Sequence, residues 1–251
     1  MIDVLISGAA GKMGSVSATT IAAQDDLRVV ALVDPKPGAS AGGAPSFASV
    51  GEALAATSPV AALEFSVPTS VYENTRALLE AGVATVVGAT GLSDGQVAAL
   101  GAIASARDTG LVIVPNFALG AVLLMQFARQ AAKYFDHAEI IEMHGANKID
   151  APSGTSLRTA RLMDVTPQSA PEAAAVAPPA RGVVADHVHI HSVRLPGLVA
   201  HQEVLLGGED ELLTLRHDSL SRRSFMGGVV LAMRRVTGVK GTVIGLENLL
   251  D

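Results

Sequence analysis

Ile2-Asp-Val-Leu-Ile-Ser-Gly-Ala-Ala-Gly-Lys-Met-Gly14 opens the chain, and its reading decides the fold. Ile2 to Ile6 is an apolar run with strand character, and Met13 to Ala23 offers the small and apolar residues that suit a helix. Between them stand Gly8, Gly11 and Gly14. Strand, glycine turn and helix in this order form a unit that cradles a pyrophosphate. Gly8 permits the tight turn, Gly11 lets a phosphate approach the backbone, and Gly14 lets the helix lie close on the strand. The spacing is G-x-x-G-x-x-G rather than the commoner G-x-G-x-x-G, so the flanking elements carry the reading.

Outward from there, Leu27 to Val33 forms a second strand ending at Asp34, twenty residues after Gly14. A carboxylate at that point meets the ribose hydroxyls of a dinucleotide. Asp34 repels a 2′-phosphate and favours NADH, whereas Lys12 and Lys36 attract one and favour NADPH. Residues 35–45, rich in Gly, Ala and Pro, read as a surface loop. Strands at 60–66, 84–87 and 111–114 then alternate with helices at 71–81 and 96–107, which predicts a doubly wound parallel sheet with right-handed crossovers. Ligands bind at the carboxyl edge of such sheets. The turns at Gly8–Gly14, Phe65–Pro68, Gly88–Gly91 and Pro115–Phe117 all fall there.

A second informative stretch is Glu139-Ile-Ile-Glu-Met-His-Gly-Ala-Asn-Lys-Ile-Asp-Ala-Pro-Ser-Gly-Thr155. It begins as a strand over 139–143 and ends with Ser153 as the cap of a helix expected over 156–163. A helix start beside the ammonium of Lys148 suits a carboxylate, and His144 can exchange a proton near neutral pH. The pattern predicts a site that holds a small anion and protonates it. A long apolar helix is expected before this stretch, over 120–135. Beyond it, 166–180 reads as an exposed, flexible, low-complexity loop. His187-Val-His-Ile-His191 alternates in strand fashion and sets three histidines on one face, read as a solvated or interface face rather than a metal site. Strands over 193–206 and 211–216, joined by a hairpin turn at Gly207–Asp210, predict a mixed or antiparallel sheet. A helix over 225–236 and the segment 242–246 return to the first sheet.

The fold expected is thus α/β: a Rossmann-like doubly wound domain over 1–118 and 228–251, interrupted by an α+β domain over 119–227 with a hinge at each crossing. A net charge of −6, 3% aromatics and no tryptophan argue against nucleic acid. The lack of cysteine excludes disulfides and thiolate chemistry. No signal peptide or membrane span is read, so a cytoplasmic protein is expected.

Several blocks resemble the dihydrodipicolinate reductase (4-hydroxy-tetrahydrodipicolinate reductase) family, and in overall pattern its actinobacterial members. They are Gly8–Gly14, Gly88-Ala-Thr-Gly91, Pro115-Asn-Phe-Ala-Leu-Gly120, Glu139–Glu142, Lys148-Ile-Asp-Ala-Pro-Ser-Gly-Thr155 and His217-Asp-Ser-Leu-Ser-Arg-Arg-Ser-Phe225. The resemblance implies a homotetramer that reduces a cyclic imine dicarboxylate of lysine and diaminopimelate biosynthesis with NADPH or NADH. It makes His144 the general acid and sets Lys148 on one substrate carboxylate, with Ser153, Gly154 and Thr155 on the other. Gly8, Gly11, Lys12, Met13 and Gly14 would hold the pyrophosphate, with Asp34 and Lys36 at the ribose. Phe65, Gly88, Thr90, Pro115, Asn116 and Phe117 would lie toward the nicotinamide. No metal is implied. The family's His-His-x-His-Lys reads His144-Gly-Ala-Asn-Lys148 here, Ala89 replaces a usual Thr, and Glu64 replaces a usual Asp. The missing histidines keep two other readings open: a reductase of a different cyclic imine or carbonyl acid, and a dinucleotide-binding protein without turnover.

Overall fold

A computed structural model describes residues 1–36, 38, 41–166 and 178–250. Two compact units emerge: Met1–Phe117 with Phe225–Asp251, and Ala118–Ser224. In the first segment β1 (Ile2–Ser7) leads through the glycine turn into α1 (Lys12–Ala22), followed by β2 (Leu27–Val33). Then come β3 (Ser46–Phe47), α2 (Val50–Ala56), β4 (Ala61–Glu64), α3 (Val71–Glu80), β5 (Ala84–Val87), α4 (Asp94–Ala106) and β6 (Gly110–Ile113). The second unit contains α5 (Leu119–Ala131), β7 (His137–His144), α6 (Gly154–Met163), β8 (Val183–Ala185), β9 (Val188–Arg194), β10 (Ala200–Gly208) and β11 (Glu211–Ser219). The chain returns to the first unit as α7 (Met226–Arg235) and β12 (Gly241–Ile244).

The first unit's sheet runs β12-β6-β5-β4-β1-β2-β3, parallel at every pairing. Its order reverses between β1 and β4, the crevice where such sheets take ligands. The inner strands are mostly apolar because helices cover both faces: Val4, Leu5, Ile6, Ala61, Ala62, Leu63, Val86 and Val87 are buried. Gly8 adopts φ +74°, and a Cβ there would lie 2.4 Å from the Phe65 carbonyl oxygen. At Gly14 a Cβ would lie 2.1 Å from the Gly8 carbonyl oxygen, so only glycine lets α1 start this close to β1. The return segment is fastened similarly: a Cβ on Gly228 of α7 would sit 2.1 Å from the carbonyl oxygen of Phe117. The short elements β3 and α2 are additions to the sequence reading, which passed from the 35–45 loop directly to the next strand. Ser49 caps α2 by accepting the Glu52 N–H at 3.2 Å, and Glu52 accepts the Ala48 N–H at 3.2 Å. A helix of seven residues is too short to show a periodicity, yet its Ser-x-x-Glu start is visible in the chain.

The second unit's sheet runs β11-β10-β7-β9-β8, antiparallel except between β7 and β9. Alternate residues of β7, β9 and β10 (Ala138, Ile140, Val188, Ile190, Val204, Leu206) bury one face against Leu124 and Ala128 of α5 and Ala160 and Met163 of α6. Each fully buried leucine or isoleucine there contributes roughly 1.5–3 kcal/mol. Three expectations are corrected. The strand read over 193–206 is broken after Arg194, because Pro196 and Gly197 (φ +88°) form a turn before Ala200. His187 leaves the strand face for the β8–β9 turn, with φ +66° after Asp186 at +47°. The β10–β11 turn is also tighter than the four residues expected, since both strands pair through Gly208 and Glu211. Of the loop read over 166–180, residues 167–177 lie outside the described residues, and Pro178–Arg181 is a 3-10 turn. Among the described residues, no helix is long and apolar enough to cross a membrane.

Candidate active site

At the carboxyl edge of the first sheet, the ends of β1, β2 and β4 enclose a cleft of about 410 Å³. Gly8, Gly11, Asp34, Lys36 and Phe65 line it, joined by Ser7, Ser66 and Asn74, which the sequence reading did not select. Asp34 is fixed by two backbone donors: Ala10 N–H to Oδ2 at 3.1 Å and Lys36 N–H to Oδ1 at 2.9 Å. The start of α1 at Gly11 carries no side-chain cap, and its first turn holds no acidic residue. Unspent N–H groups beside Lys12 suit the charge and shape of a pyrophosphate, so the cradle fits a dinucleotide.

A second cleft of about 440 Å³ is lined by Gly11, Lys12, Met13, Phe65, Gly88, Thr90, Pro115, Asn116 and Phe117. Phe65 and Phe117 meet edge to face, centroids 5.4 Å apart at 65°. A Cβ on Gly88 would come within 2.1 Å of the Phe65 ring, so glycine keeps this pair in place. Gly14 lines neither cleft; its place is the α1–β1 contact. Beneath the edge, Glu64 ends β4 with no exposed surface, accepting the Ser66 N–H on Oε1 at 2.6 Å. Burial pushes its carboxyl up, against hydrogen bonds from Ser66, Ser7 and Asn74. Its Oε2 has no partner among the described residues.

The second unit gathers the other candidates around a residue that the sequence reading treated only as part of a strand. Glu142 and His144 are two apart on β7 and share a face. Glu142 is fully buried, and its carboxylate collects donors from a neighbouring strand and from a loop. Arg194 of β9 donates Nη2–H to Oε1 at 2.7 Å and Nη1–H to Oε2 at 2.8 Å. His144 Nδ1 lies 2.5 Å from Oε2, and the Ser153 N–H reaches Oε1 at 3.2 Å. Burial pushes Glu142 up, but the hydrogen bonds from Arg194, Ser192 and His144 outweigh it and hold the carboxyl below the usual range. Burial pushes His144 down; Glu142 opposes this and Lys148 and Arg194 reinforce it, leaving the imidazole below its ordinary value. Arg194 also donates to the Asp150 carbonyl at 2.7 Å, tying down the loop that carries Lys148. Lys148 Nζ reaches both oxygens of Asp150, at 2.7 and 2.6 Å.

Helix α6 starts two residues before the expected 156, with Ser153 as its cap. Ser153 Oγ accepts the Ser156 N–H at 3.1 Å, and Ser156 Oγ passes the chain of hydrogen bonds to Gln202 of β10 at 2.9 Å. Ser153 is therefore engaged on both its backbone and its side chain, and Gly154 and Thr155 form the first turn beyond it. Glu142, Arg194, Ser156 and Gln202 were not legible as site members, since Glu142 and Ser156 take their meaning from Arg194 and Gln202, which β9 and β10 bring in from more than forty residues away. His189 and His191 have partners as well: Nδ1 of His189 bonds the Arg181 carbonyl at 2.8 Å, and Nε2 of His191 bonds Glu139 at 2.8 Å.

Comparison with known proteins agrees with this geometry. The model of the dihydrodipicolinate reductase N-terminus matches residues 2–117, and that of the C-terminus matches residues 120–250. A 4-hydroxy-tetrahydrodipicolinate reductase of Listeria welshimeri is 44% identical over 263 residues, covering all of both chains. One from Streptococcus pneumoniae is 48% identical over 254 residues, covering 99% of each. Among solved structures, a dipicolinate-bound dihydrodipicolinate reductase from Paenisporosarcina sp. TG-14 superposes with a TM-score of 0.92 at 40% identity, covering 100% of both chains. A Rossmann-type sheet with a glycine cradle at its switch point, joined to a second mixed sheet, defines an NAD(P)H-dependent oxidoreductase. The chain belongs to the dihydrodipicolinate reductase family.

Proposed function

We propose that this chain reduces 4-hydroxy-tetrahydrodipicolinate to tetrahydrodipicolinate in lysine and diaminopimelate biosynthesis, in the cytoplasm. The observation that carries this is the convergence of His144, the Lys148 loop and the α6 start on the buried Glu142–Arg194 pair. Gly8, Gly11, Lys12, Met13, Gly14, Asp34 and Lys36 hold or shape the pyrophosphate and ribose end, and Phe65, Gly88, Thr90, Pro115, Asn116 and Phe117 shape the nicotinamide end. When bound, the reduced nicotinamide supplies the hydride. Across the reaction the ring gains a hydride and a proton and loses its hydroxyl as water. His144 donates the proton to the ring carbon beside the one that is reduced. Lys148 binds one carboxylate, exchanging its Asp150 partner for the substrate. Gly154 and Thr155 at the α6 start receive the other, with Ser153 holding that turn in shape.

The test is NADH and NADPH oxidation with the freshly generated imine, for wild type and Lys148→Ala. Loss of a charged hydrogen bond is worth about 1.5–3 kcal/mol, so kcat/KM should fall by about 10–100-fold with dinucleotide affinity unchanged. An unaltered kcat/KM would remove Lys148 from the pocket. Gly145 and Asn147, where the family has histidine, favour as a second reading a reductase of another cyclic imine; failure to complement a lysine-pathway reductase mutant decides for it.

We also assign the homotetramer to the second unit's sheet. Its face away from α5 and α6 carries Ile141, Met143, Val193 and Leu205, apolar and only half-buried. Sedimentation of the full chain checks the assembly, and Leu205→Glu should shift it toward smaller species.

A further inference from the structure

We propose that Glu142, clamped by Arg194, is a positioning residue for proton transfer: it holds the Nδ1 edge of His144, leaving Nε2 as the atom that hands over the proton. This rests on the reading of His144 as the general acid. Glu142 is a carboxylate with Arg194 on both oxygens, and an ionised carboxylate only accepts hydrogen bonds. The ring nitrogen 2.5 Å from Oε2 must therefore carry a hydrogen. Neutral His144 is then the Nδ1–H tautomer with a bare Nε2, and the proton it gains and gives away resides on Nε2.

The position is over-determined by the surroundings. The carboxylate is fully buried, so removing its negative charge would leave Arg194 unpaired in the same low-dielectric place. Through Arg194 it grips the Asp150 carbonyl, and through the Ser153 N–H it grips the residue that caps α6. One side chain thus sets the separations among proton donor, ammonium loop and helix start. The charged groups bearing on the ring are Glu142 on its own strand, Arg194 on the neighbouring strand and Lys148 in the following loop. The two cations disfavour the imidazolium and Glu142 favours it, so Glu142 is the charged partner that supports the protonated donor.

Two measurements on the full chain test this. The first is ¹⁵N NMR of histidine-labelled wild type, with the His144 signals identified by their loss in His144→Asn. Neutral His144 with Nδ1 protonated is expected; the Nε2–H tautomer overturns the proposal without any variant at 142 having to fold. The second is the pH dependence of kcat/KM for wild type and Glu142→Gln, each with its melting temperature. A neutral amide no longer supports the imidazolium, so activity should be lost at a lower pH as pH rises, with kcat down about 10–100-fold, short of the full value of a general acid. The KM for NADH should not move. A folded Glu142→Gln whose alkaline limb coincides with wild type overturns the assignment of Glu142 while leaving the reductase reading intact. Wild type that does not reduce the imine removes the reductase reading instead, and the proton-transfer role falls with it even when the tautomer is the expected one.

Discussion

Glu64 and Glu142 are both fully buried carboxyls on strands, yet their surroundings drive them in opposite directions. Glu64 has the neutral donors Ser66, Ser7 and Asn74 about it and no cation among the described residues, so burial wins and its folded pKa lies above the unfolded one. Its contribution is fully present below the unfolded pKa and is lost as pH rises through the folded pKa. Glu64→Gln, which cannot ionise, should therefore gain stability relative to wild type as pH is raised from about 4 toward neutrality. Paired urea titrations at several pH values measure the difference, and a constant difference would show that Glu64 does not titrate on unfolding. The two residues were unequally legible. Glu64 is noticeable in the chain as a Glu in an apolar strand where the family has Asp. Glu142 blends into Glu-Ile-Ile-Glu-Met, and its meaning appears only when Arg194, fifty-two residues on, is paired beside it.

Elements with a local cause were the more readable, α2 and the Pro196-Gly197 turn excepted, and those set by distant partners were not. Helix α4 begins at Asp94 with Ser93 accepting the Gln96 N–H at 3.3 Å and Gln96 returning its Oε1 to the Ser93 N–H at 2.9 Å. Helix α6 also begins with a serine cap, Ser153 accepting the Ser156 N–H, but there the cap is buried and its own N–H goes to Glu142. Removing either cap should cost about 1 kcal/mol of helix stability. Ser93→Ala should lower the melting temperature by a few degrees and leave kinetics untouched. Ser153→Ala should do that and also raise KM for the dicarboxylate, because its cap shapes the anion-binding turn; equal kinetics for the two variants would detach α6 from the site. The glycine cradle was legible for the same local reason, since Gly8 and Gly14 face steric demands set within a dozen residues. The break after Arg194 was not, because Leu195, Leu198 and Val199 stay apolar on both sides of the turn and only Pro196-Gly197 marks the interruption. Likewise His187 continues the alternation of His189 and His191 in sequence while its backbone has already turned.

Over the whole molecule, the surroundings of Glu64 and those of Glu142 and Glu139 should respond to pH with opposite signs. Glu142 and Glu139 in the second unit lie below their ordinary values, because hydrogen bonds and ion pairs with Arg194 and His144, and with His191 and Arg181, outweigh burial. Their contribution is present above the unfolded pKa and is lost as pH falls through the folded one. Glu64 gives the end of β4 the reverse slope. Hydrogen exchange should therefore show protection in β4 holding or rising as pH falls from neutral toward about 4, and protection in β7 and β9 falling only as pH drops further below that; a uniform decline from neutral pH would contradict the separation.

The fastening of Gly228 onto Phe117 bears on how such a molecule can be rebuilt. It brings the outgoing and returning strands of polypeptide side by side within the nucleotide-binding body, so that body's continuity does not depend on what is threaded through the gap. A peptide of a few residues bridging 117 to 225 would close the circuit, and a foreign module grafted at the same two points would inherit a ready-made redox platform.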